Sequence, residues 1–235
     1  MIPFVPADNG YRAVLFDLDG TLIDTLPALT SSLNAVLSED GLRRLKPEEV
    51  RLLVGDGIKV LMARVLAAVG VPPPDDGTLM AALARFSAHY DADPGAGCAP
   101  FPHAAEILGA LMGLGYGLGV VTNKPEAPAR ELLTRYALAP ALGAVVGGDT
   151  TDHLKPHPEP MLFAADLLGV APQNTVMVGD SINDVTAARR AGMRVIAVSY
   201  GYSRISAAEM GADAVIDRLA DLPRAIAALP AVAAP

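Results

Sequence analysis

The chain has 235 residues, of which 51% are hydrophobic and 19% charged, a composition that excludes intrinsic disorder for most of its length. Its formal net charge of −8 repels a polyanion on average, so we expect no nucleic-acid partner. No apolar run reaches the roughly 20 residues of a membrane-spanning helix, so we expect no membrane partner either. One cysteine, Cys98, and an N-terminus without the pattern of a signal peptide lead us to expect a cytoplasmic protein.

The first predicted element is a buried strand over residues 12–17, and an acidic motif stands at its end. The motif reads Asp17-Leu18-Asp19-Gly20-Thr21. Residues two apart in an extended segment point the same way, so the carboxylates of Asp17 and Asp19 can face one cleft. Gly20 can adopt a conformation closed to other residues and let the chain turn tightly beneath a bound group, which makes it a candidate for substrate binding. Taken alone, the motif also fits a solvated turn.

A helical block follows this strand. Four segments carry apolar residues at spacings of three and four, which is typical of amphipathic helices. They cover residues 26–37, 47–54, 58–69 and 78–90, and a stretch rich in glycine and proline near 93–100 follows them. We therefore expect two domains: an α/β core formed by residues 1–22 and 97–235, and an α-helical domain formed by residues 23–96 that is inserted into the core.

From residue 100 onward, helical patterns alternate with short apolar stretches. Alternation of this kind predicts an α/β fold with a parallel sheet covered by helices on both faces. The predicted strands are 117–122, 144–147, 175–179, 194–198 and 214–216, and the predicted helices are about 103–114, 126–137, 159–168, 182–191 and 219–228.

Polar and charged side chains follow the later strands as well. Thr122 and Asn123 stand at the end of the second strand, Lys155 lies after the third, and Asp180 and Asp184 follow the fourth. Open α/β sheets bind ligands at the carboxyl ends of their strands, so these residues and the first motif predict one pocket. Each residue also has a simpler interpretation: the two acids can cap the next helix, the lysine can lie on the surface, and the threonine can hydrogen-bond at its strand end.

In this order and at these strand ends, the motifs resemble those of the haloacid dehalogenase superfamily of phosphotransferases. The matching motifs are Asp17-Leu18-Asp19-Gly20-Thr21, Thr122, Lys155-Pro156 and Gly179-Asp180-Ser181-x-x-Asp184. The resemblance covers nearly the whole chain, because the helical insertion is similar to the helical cap of that family. It implies a Rossmann-like parallel sheet core with an inserted α-helical cap.

The resemblance also implies a role for each motif residue. Asp17 is the expected nucleophile, which forms an aspartyl-phosphate. Asp19 is the expected general acid and base, and its presence favours phosphoryl transfer over carbon–halogen cleavage. Lys155 would place a positive charge against Asp17 and the phosphoryl oxygens. Thr122 and the amides around Asn123 would hold those oxygens in line for attack.

Four carboxylates in one pocket require a counter-charge. Two like charges about 4 Å apart repel by roughly 4 kcal/mol at an effective dielectric constant near 20. Oxygen ligands without cysteine or a suitable histidine favour Mg²⁺. We expect Asp17, Asp180 and the backbone carbonyl of Asp19 to bind it, and Asp184 to orient these ligands.

The helical insertion is expected to recognise the rest of the substrate. Its Val54-Gly55-Asp56-Gly57-Ile58-Lys59 segment resembles the cap loop of phosphoglycolate phosphatases, which makes Gly55 and Lys59 candidates for substrate binding. In the simpler interpretation, Asp56 caps the helix and Lys59 lies in solvent. A cap hinged at two linkers would close over a small substrate and shut out polymers.

We therefore expect a Mg²⁺-dependent phosphatase of a small phosphorylated metabolite, with 2-phosphoglycolate as the first choice. A sugar-phosphate phosphatase and a mutase of the β-phosphoglucomutase kind are the alternatives among enzymes. A non-catalytic module that binds phosphorylated ligands is a more distant alternative, because both Asp17 and Asp19 are present. A monomer and a homodimer fit the sequence equally well.

Overall fold

A computed structural model describes residues 9–232, and its centre is a six-stranded parallel sheet. The first eight and last three residues of the predicted core lie outside the described residues. The strands of the sheet are β1 (Ala13–Phe16), β4 (Gly117–Val121), β5 (Ala144–Val146), β6 (Thr175–Gly179), β7 (Arg194–Val198) and β8 (Ala214–Ile216), and two short strands outside it are β2 (Ile23–Asp24) and β3 (Ala99–Pro100). The strand order in the sheet is β5-β4-β1-β6-β7-β8, and the predicted α/β class is confirmed.

The register of the central strands brings their carboxyl ends together. Phe16, the last residue of β1, is aligned with Val120 of β4 on one side and with Val178 of β6 on the other. All four residues of β1 are buried, as expected for a strand covered on both faces. The polar residues that directly follow these three strands therefore leave the sheet at one edge.

Helices cover both faces of the sheet. These helices are α5 (Ala104–Gly113), α6 (Glu126–Arg135), α7 (Glu159–Leu167), α8 (Ile182–Arg190) and α9 (Leu222–Ala228), and short 3₁₀ turns occupy Ala139–Ala141, Pro172–Asn174, Ala207–Met210 and Leu219–Asp221. Alternate residues of β1 point to opposite faces. Phe16 belongs to the apolar cluster that includes residues of α5, α6 and α9, and Leu15 belongs to the cluster that includes residues of α7 and α8.

Four helices lie between β2 and β3 and share an apolar cluster of their own. We call them the cap helices. β2 and β3 form an antiparallel pair, with Ile23 opposite Pro100 and Asp24 opposite Ala99, so the two chain segments that lead to and from the cap helices run side by side. The cap helices are α1 (Leu26–Glu39), α2 (Pro47–Arg51), α3 (Ile58–Ala68) and α4 (Asp76–Ala92).

The last cap helix begins earlier than the apolar pattern predicts. Asp75 is its N-cap, and its side chain accepts a hydrogen bond from the backbone N–H of Thr78. This bond satisfies one of the free donors of the first turn, so the helix extends two residues before the predicted start at residue 78. Within residues 9–232, every helix falls short of the length or the apolar character that crossing a bilayer requires.

Candidate active site

Three buried carboxylates meet where β1 and β6 end. Asp17 follows β1, Asp180 follows β6, and Asp184 lies in the first turn of α8. One carboxylate oxygen of each residue lies within 4.8 Å of the others. We call these three residues the acidic cluster. Its donors are all carboxylate oxygens, a set that suits a hard divalent cation, so the cluster could hold a metal ion.

The ammonium group of Lys155 lies beside the acidic cluster. Its Nζ atom donates to Asp17 Oδ1 at 2.8 Å, to Asp184 Oδ1 at 2.7 Å and to the Val121 carbonyl oxygen at 2.7 Å. An ammonium group has three N–H donors, so these acceptors use all of them. Because only 4% of Lys155 is exposed, the interpretation of this residue as a surface lysine is wrong.

Burial and neighbouring charges control the ionisation of the acidic cluster and of Lys155. Burial raises the pKa of Asp17 to about 7, although the Lys155 ammonium opposes this shift. Burial and the charges of Asp17 and Asp184 raise the pKa of Asp180 well above its usual range. Burial lowers the pKa of Lys155, but the two carboxylates raise it by more, so the lysine stays charged. One ammonium group does not balance three carboxylates, and the acidic cluster therefore favours a further cation.

Asp184 also begins helix α8. The helix has Ser181 as its N-cap, and the Asp184 backbone N–H donates to the Ser181 hydroxyl oxygen. The Asp184 Oδ2 atom accepts from the backbone N–H of Ser181 at 3.0 Å and from its hydroxyl at 2.6 Å. This capping box fixes the carboxylate whose other oxygen binds Lys155. Helix capping and membership of the acidic cluster thus coexist in Asp184.

A cavity of about 240 Å³ extends from the acidic cluster to the cap helices. Its core side includes Asp17, Asp19, Thr122 and Lys155, which are four of the residues predicted for the site. The opposite side is mainly apolar and aromatic. The residues that line this opposite side are Leu29, Val54, Ile58, Leu61, Phe86 and Tyr90.

Asn123 connects the cap loop to the segment that carries Lys155. Its side-chain N–H₂ donates to the carbonyl oxygens of Gly55, at 3.1 Å, and of Lys155, at 3.0 Å. Its Oδ1 atom accepts from the backbone N–H of Lys155 at 2.9 Å. Asn123 and Gly55 both line the cavity. The side chain of Asn123 is therefore committed to positioning the cap loop and the Lys155 segment.

Gly20 contacts the acidic cluster and does not line the cavity. Its φ angle is 85°, a left-handed conformation that favours glycine. A Cβ atom on this residue would lie 2.5 Å from Asp180 Oδ2. The turn after β1 can therefore approach Asp180 this closely only because residue 20 has no side chain.

Asp19 lies apart from the acidic cluster and has its own partners. Its Oδ1 atom accepts a hydrogen bond from the Thr25 hydroxyl at 2.5 Å. The Lys124 Nζ atom lies 3.1 Å from Oδ1 and 3.4 Å from Oδ2 of the same carboxylate. Burial lowers the pKa of Lys124, but Asp19 and the Tyr90 hydroxyl raise it by more, so this lysine is also charged.

Lys59 does not reach the cavity. Its side chain is 61% exposed, and its Nζ atom lies 3.6 Å from Asp76 on the next cap helix. Nor does Asp56 cap the helix, because Gly57 is the N-cap of α3. Asp56 instead accepts a hydrogen bond from the Asn183 side chain at 2.6 Å and pairs with Arg64. The cap loop thus contacts α8 of the core through Asp56.

Residues 14–198 match the family model of haloacid dehalogenase-like hydrolases. The chain belongs to this family. The resemblance drawn from the four motifs is therefore confirmed, and so is the fold that it implied.

Curated and solved relatives of this hydrolase share most of its length. A phosphoglycolate phosphatase of Rhodospirillum rubrum is 49% identical over 214 residues, which are 90% of this chain and 89% of that protein. A phosphoglycolate phosphatase of Escherichia coli K12 is 37% identical over 87% of this chain and 88% of that protein. A crystal structure from Haemophilus somnus, described as a predicted phosphoglycolate phosphatase, has a TM-score of 0.87 at 30% identity and covers 92% of this chain and 98% of that chain.

Sequence reasoning missed three residues that surround Asp19 in this hydrolase: Thr25, Tyr90 and Lys124. Lys124 stands two residues after Thr122, so the period of an extended chain could have placed both on one side. Thr25 directly precedes the first cap helix and looks like an ordinary helix boundary. Tyr90 lies on an amphipathic cap helix, where an aromatic residue is indistinguishable from a core residue by sequence alone.

Proposed function

We propose that this hydrolase is a Mg²⁺-dependent phosphatase that converts 2-phosphoglycolate to glycolate and phosphate. The observation that carries the proposal is the contact of the Lys155 ammonium with both Asp17 and Asp184 at the end of a cavity. The predicted phosphoric monoester hydrolase is confirmed by the family match and by relatives with this activity in their names. The substrate follows from those names, together with a cavity that suits a small ester.

In the first step, an oxygen of Asp17 attacks the phosphorus atom, and the bond between phosphorus and the ester oxygen breaks. The leaving alkoxide takes a proton from Asp19. Asp17 faces the cavity beside Lys155, whose positive charge lies against the phosphoryl oxygens, and Thr122 binds these oxygens at the end of β4. The products of this step are glycolate and an aspartyl-phosphate at residue 17.

In the second step, water hydrolyses the aspartyl-phosphate. Asp19 takes a proton from the water molecule, the water oxygen bonds to phosphorus, and the bond to the Asp17 carboxylate breaks. Inorganic phosphate leaves, and both carboxylates return to their initial state. The oxygen ligands of Asp17 and Asp180, with the backbone carbonyl of Asp19, would hold Mg²⁺, whose charge offsets that of the phosphate.

The cap helices would control access to this chemistry. We propose that residues 23–96 form the inserted domain and that the paired segments β2 and β3 are its hinges. The contacts of Asn123 and Asn183 with the carbonyl oxygen of Gly55 would hold the closed state. A cytoplasmic location is also proposed, since the single thiol of Cys98 suits a reducing compartment.

A panel of phosphate esters with and without Mg²⁺ tests this function. We expect phosphate release from 2-phosphoglycolate with a kcat/KM at least about 100-fold above that for glucose 6-phosphate and other sugar phosphates. A higher kcat/KM for a sugar phosphate would favour the sugar-phosphatase alternative. Conversion of a sugar phosphate to its isomer without release of phosphate would identify a mutase.

Mg²⁺ should stabilise the protein more at pH 8 than at pH 5.5. The pKa of Asp17 is raised to about 7 and that of Asp180 is also raised. In the unfolded chain these carboxyl groups have pKa values of about 4. At pH values between about 4 and the raised pKa values of the folded state, the folded protein binds more protons than the unfolded chain, so its free energy of unfolding falls as pH rises. A cation needs the deprotonated carboxylates and counters this loss. At 100 times Kd we expect about 2.7 kcal/mol of stabilisation at pH 8, and a smaller effect at pH 5.5.

Differential scanning calorimetry after treatment with EDTA measures this effect. Asp180→Asn removes one expected ligand and should lose most of the rise in Tm at pH 8. Asp166→Asn is the matched control, because Asp166 is exposed on α7, outside the cavity wall, and its rise in Tm should equal that of the unaltered protein. An equal rise in Asp180→Asn would place the cation elsewhere.

A further inference from the structure

The cavity wall contains two cationic side chains among the described residues, Lys124 and Lys155. This matters because 2-phosphoglycolate carries a carboxylate as well as a phosphate, so it needs a second positive group. The sequence suggested Lys59 on the cap, but this residue pairs with Asp76 outside the cavity. The two lysines in the described part of the wall are therefore the candidate cations for the carboxylate.

Lys155 has no donor left for this purpose. Its three N–H groups are used by the carboxylates of Asp17 and Asp184 and by the carbonyl oxygen of Val121. Lys155 is also fixed at the nucleophile, where the phosphate would lie. The carboxylate of the leaving group must lie further from Asp17, on the other side of the ester oxygen.

Lys124 has one donor to spare. Of its three N–H groups, two are used by the oxygens of a single carboxylate, that of Asp19, at 3.1 and 3.4 Å. Its Nζ atom also lies 4.8 Å from the centre of the Tyr90 ring. Lys124 is therefore a buried cation that borders the cavity with incomplete hydrogen bonding.

Tyr90 adds an independent observation. It is 4% exposed and lines the cavity from the last cap helix. Its hydroxyl group is buried and has no hydrogen-bond partner within 3.5 Å in the part of the chain that the structure describes, although it is close enough to the Lys124 ammonium to raise the pKa of that lysine. Buried hydroxyl groups are nearly always hydrogen-bonded, and one that faces a cavity points to a ligand that completes the bond.

The position of these groups matches the chemistry of the substrate. Asp19 is the proposed acid for the ester oxygen, and Lys124 contacts Asp19 directly. In 2-phosphoglycolate, a single methylene group separates the ester oxygen from the carboxylate. A cation in contact with the acid is therefore within reach of that carboxylate.

We propose that the Lys124 ammonium and the Tyr90 hydroxyl bind the substrate carboxylate and make this hydrolase selective for phosphate esters with an anionic leaving group. The inference rests on the proposed function. The core contributes the cation and the cap contributes the hydroxyl. A substrate with a carboxylate would therefore link the two when the cavity is closed, and a neutral ester would lack this link.

A matched pair of substrates tests the proposal. 2-Phosphoglycolate and 2-hydroxyethyl phosphate differ in the carboxylate, which is a hydroxymethyl group in the second compound. We expect the unaltered protein to prefer 2-phosphoglycolate by at least about 100-fold in kcat/KM, because a buried charge pair is lost with the neutral ester. In Lys124→Met this preference should fall below about tenfold, whereas Lys124→Arg should keep most of it.

Tyr90→Phe provides a second and milder test. Loss of one hydroxyl hydrogen bond should reduce the preference by about three- to tenfold. Since the hydroxyl has no hydrogen-bond partner within 3.5 Å among residues 9–232, Tm without substrate should not fall. Lys46→Met removes an exposed lysine outside the cavity and should leave the preference unchanged.

The outcomes separate this inference from the proposed function. If the unaltered protein hydrolyses 2-phosphoglycolate but Lys124→Met loses the same factor on both esters, Lys124 only positions Asp19 and the inference is overturned. If Lys124→Met does not fold and Tyr90→Phe leaves the preference unchanged, the inference is overturned as well. If the unaltered protein does not hydrolyse 2-phosphoglycolate but hydrolyses other esters, the proposed function itself fails.

Discussion

Replacement of Asp17 by asparagine is expected to abolish phosphate release while the fold is retained. An amide oxygen is too weak a nucleophile to form the phosphorylated intermediate, so we expect kcat to fall by about 10⁴-fold or more. The amide has nearly the same shape and removes a charge that burial disfavours, as the raised pKa of Asp17 indicates. Lys155 keeps two of its three acceptors, the Asp184 carboxylate and the Val121 carbonyl. Tm at pH 8 without metal should therefore not fall.

Three measurements check this prediction. A colorimetric assay follows phosphate release, calorimetry gives Tm, and mass spectrometry after acid quench detects a phosphorylated peptide that contains residue 17. Asp166→Asn, the exposed carboxylate on α7, should keep the activity and the phosphorylated peptide of the unaltered protein. Substantial phosphate release by Asp17→Asn would refute the covalent mechanism, whatever its Tm.

The sequence predicts the core of this fold well because each strand carries its own signal. The strand β1 is buried on both faces, so its sequence is a continuous apolar run that ends where Asp17 begins. The same holds for β4 and β6, and parallel pairing then brings their ends to one edge. The residues of the acidic cluster and Lys155 meet for this reason, although Lys155 and Asp17 are 138 residues apart.

The cap side of the site is less predictable. A surface pair such as Lys59–Asp76 depends on the packing angle between two cap helices, which their periodicity does not specify. Tyr90 and Lys124 contact each other across the boundary between cap and core, and neither has a local signal for this contact. Helix starts are also set by single hydrogen bonds, such as that of Asp75, which an apolar pattern does not reveal.

Replacement of Lys155 by methionine is expected to damage both activity and stability. Lys155 is 4% exposed and its ammonium group contacts two carboxylates, so removal of that group leaves Asp17 and Asp184 buried without their counter-charge. Removing one partner of a buried ion pair typically lowers the free energy of unfolding by about 3–5 kcal/mol. At about 2–4 °C per kcal/mol, Tm should fall by roughly 6–20 °C at pH 8 without metal. Loss of a positive group at the phosphoryl oxygens should also lower kcat by about 10²–10³-fold.

A double variant separates the electrostatic cause from simple loss of packing. Lys155→Met with Asp17→Asn removes one of the two unpaired charges without disturbing the capping box of Asp184, so it should be more stable than Lys155→Met alone and remain inactive. Lys46→Met, an exposed lysine on the cap, controls for the change of side-chain chemistry and should alter neither Tm nor kcat. If Lys155→Met lost less than about 1 kcal/mol of stability, or if the double variant were less stable still, unpaired buried charge would not be the cause. The cluster would then not depend on its ammonium group, and the cation alone would have to balance the three carboxylates.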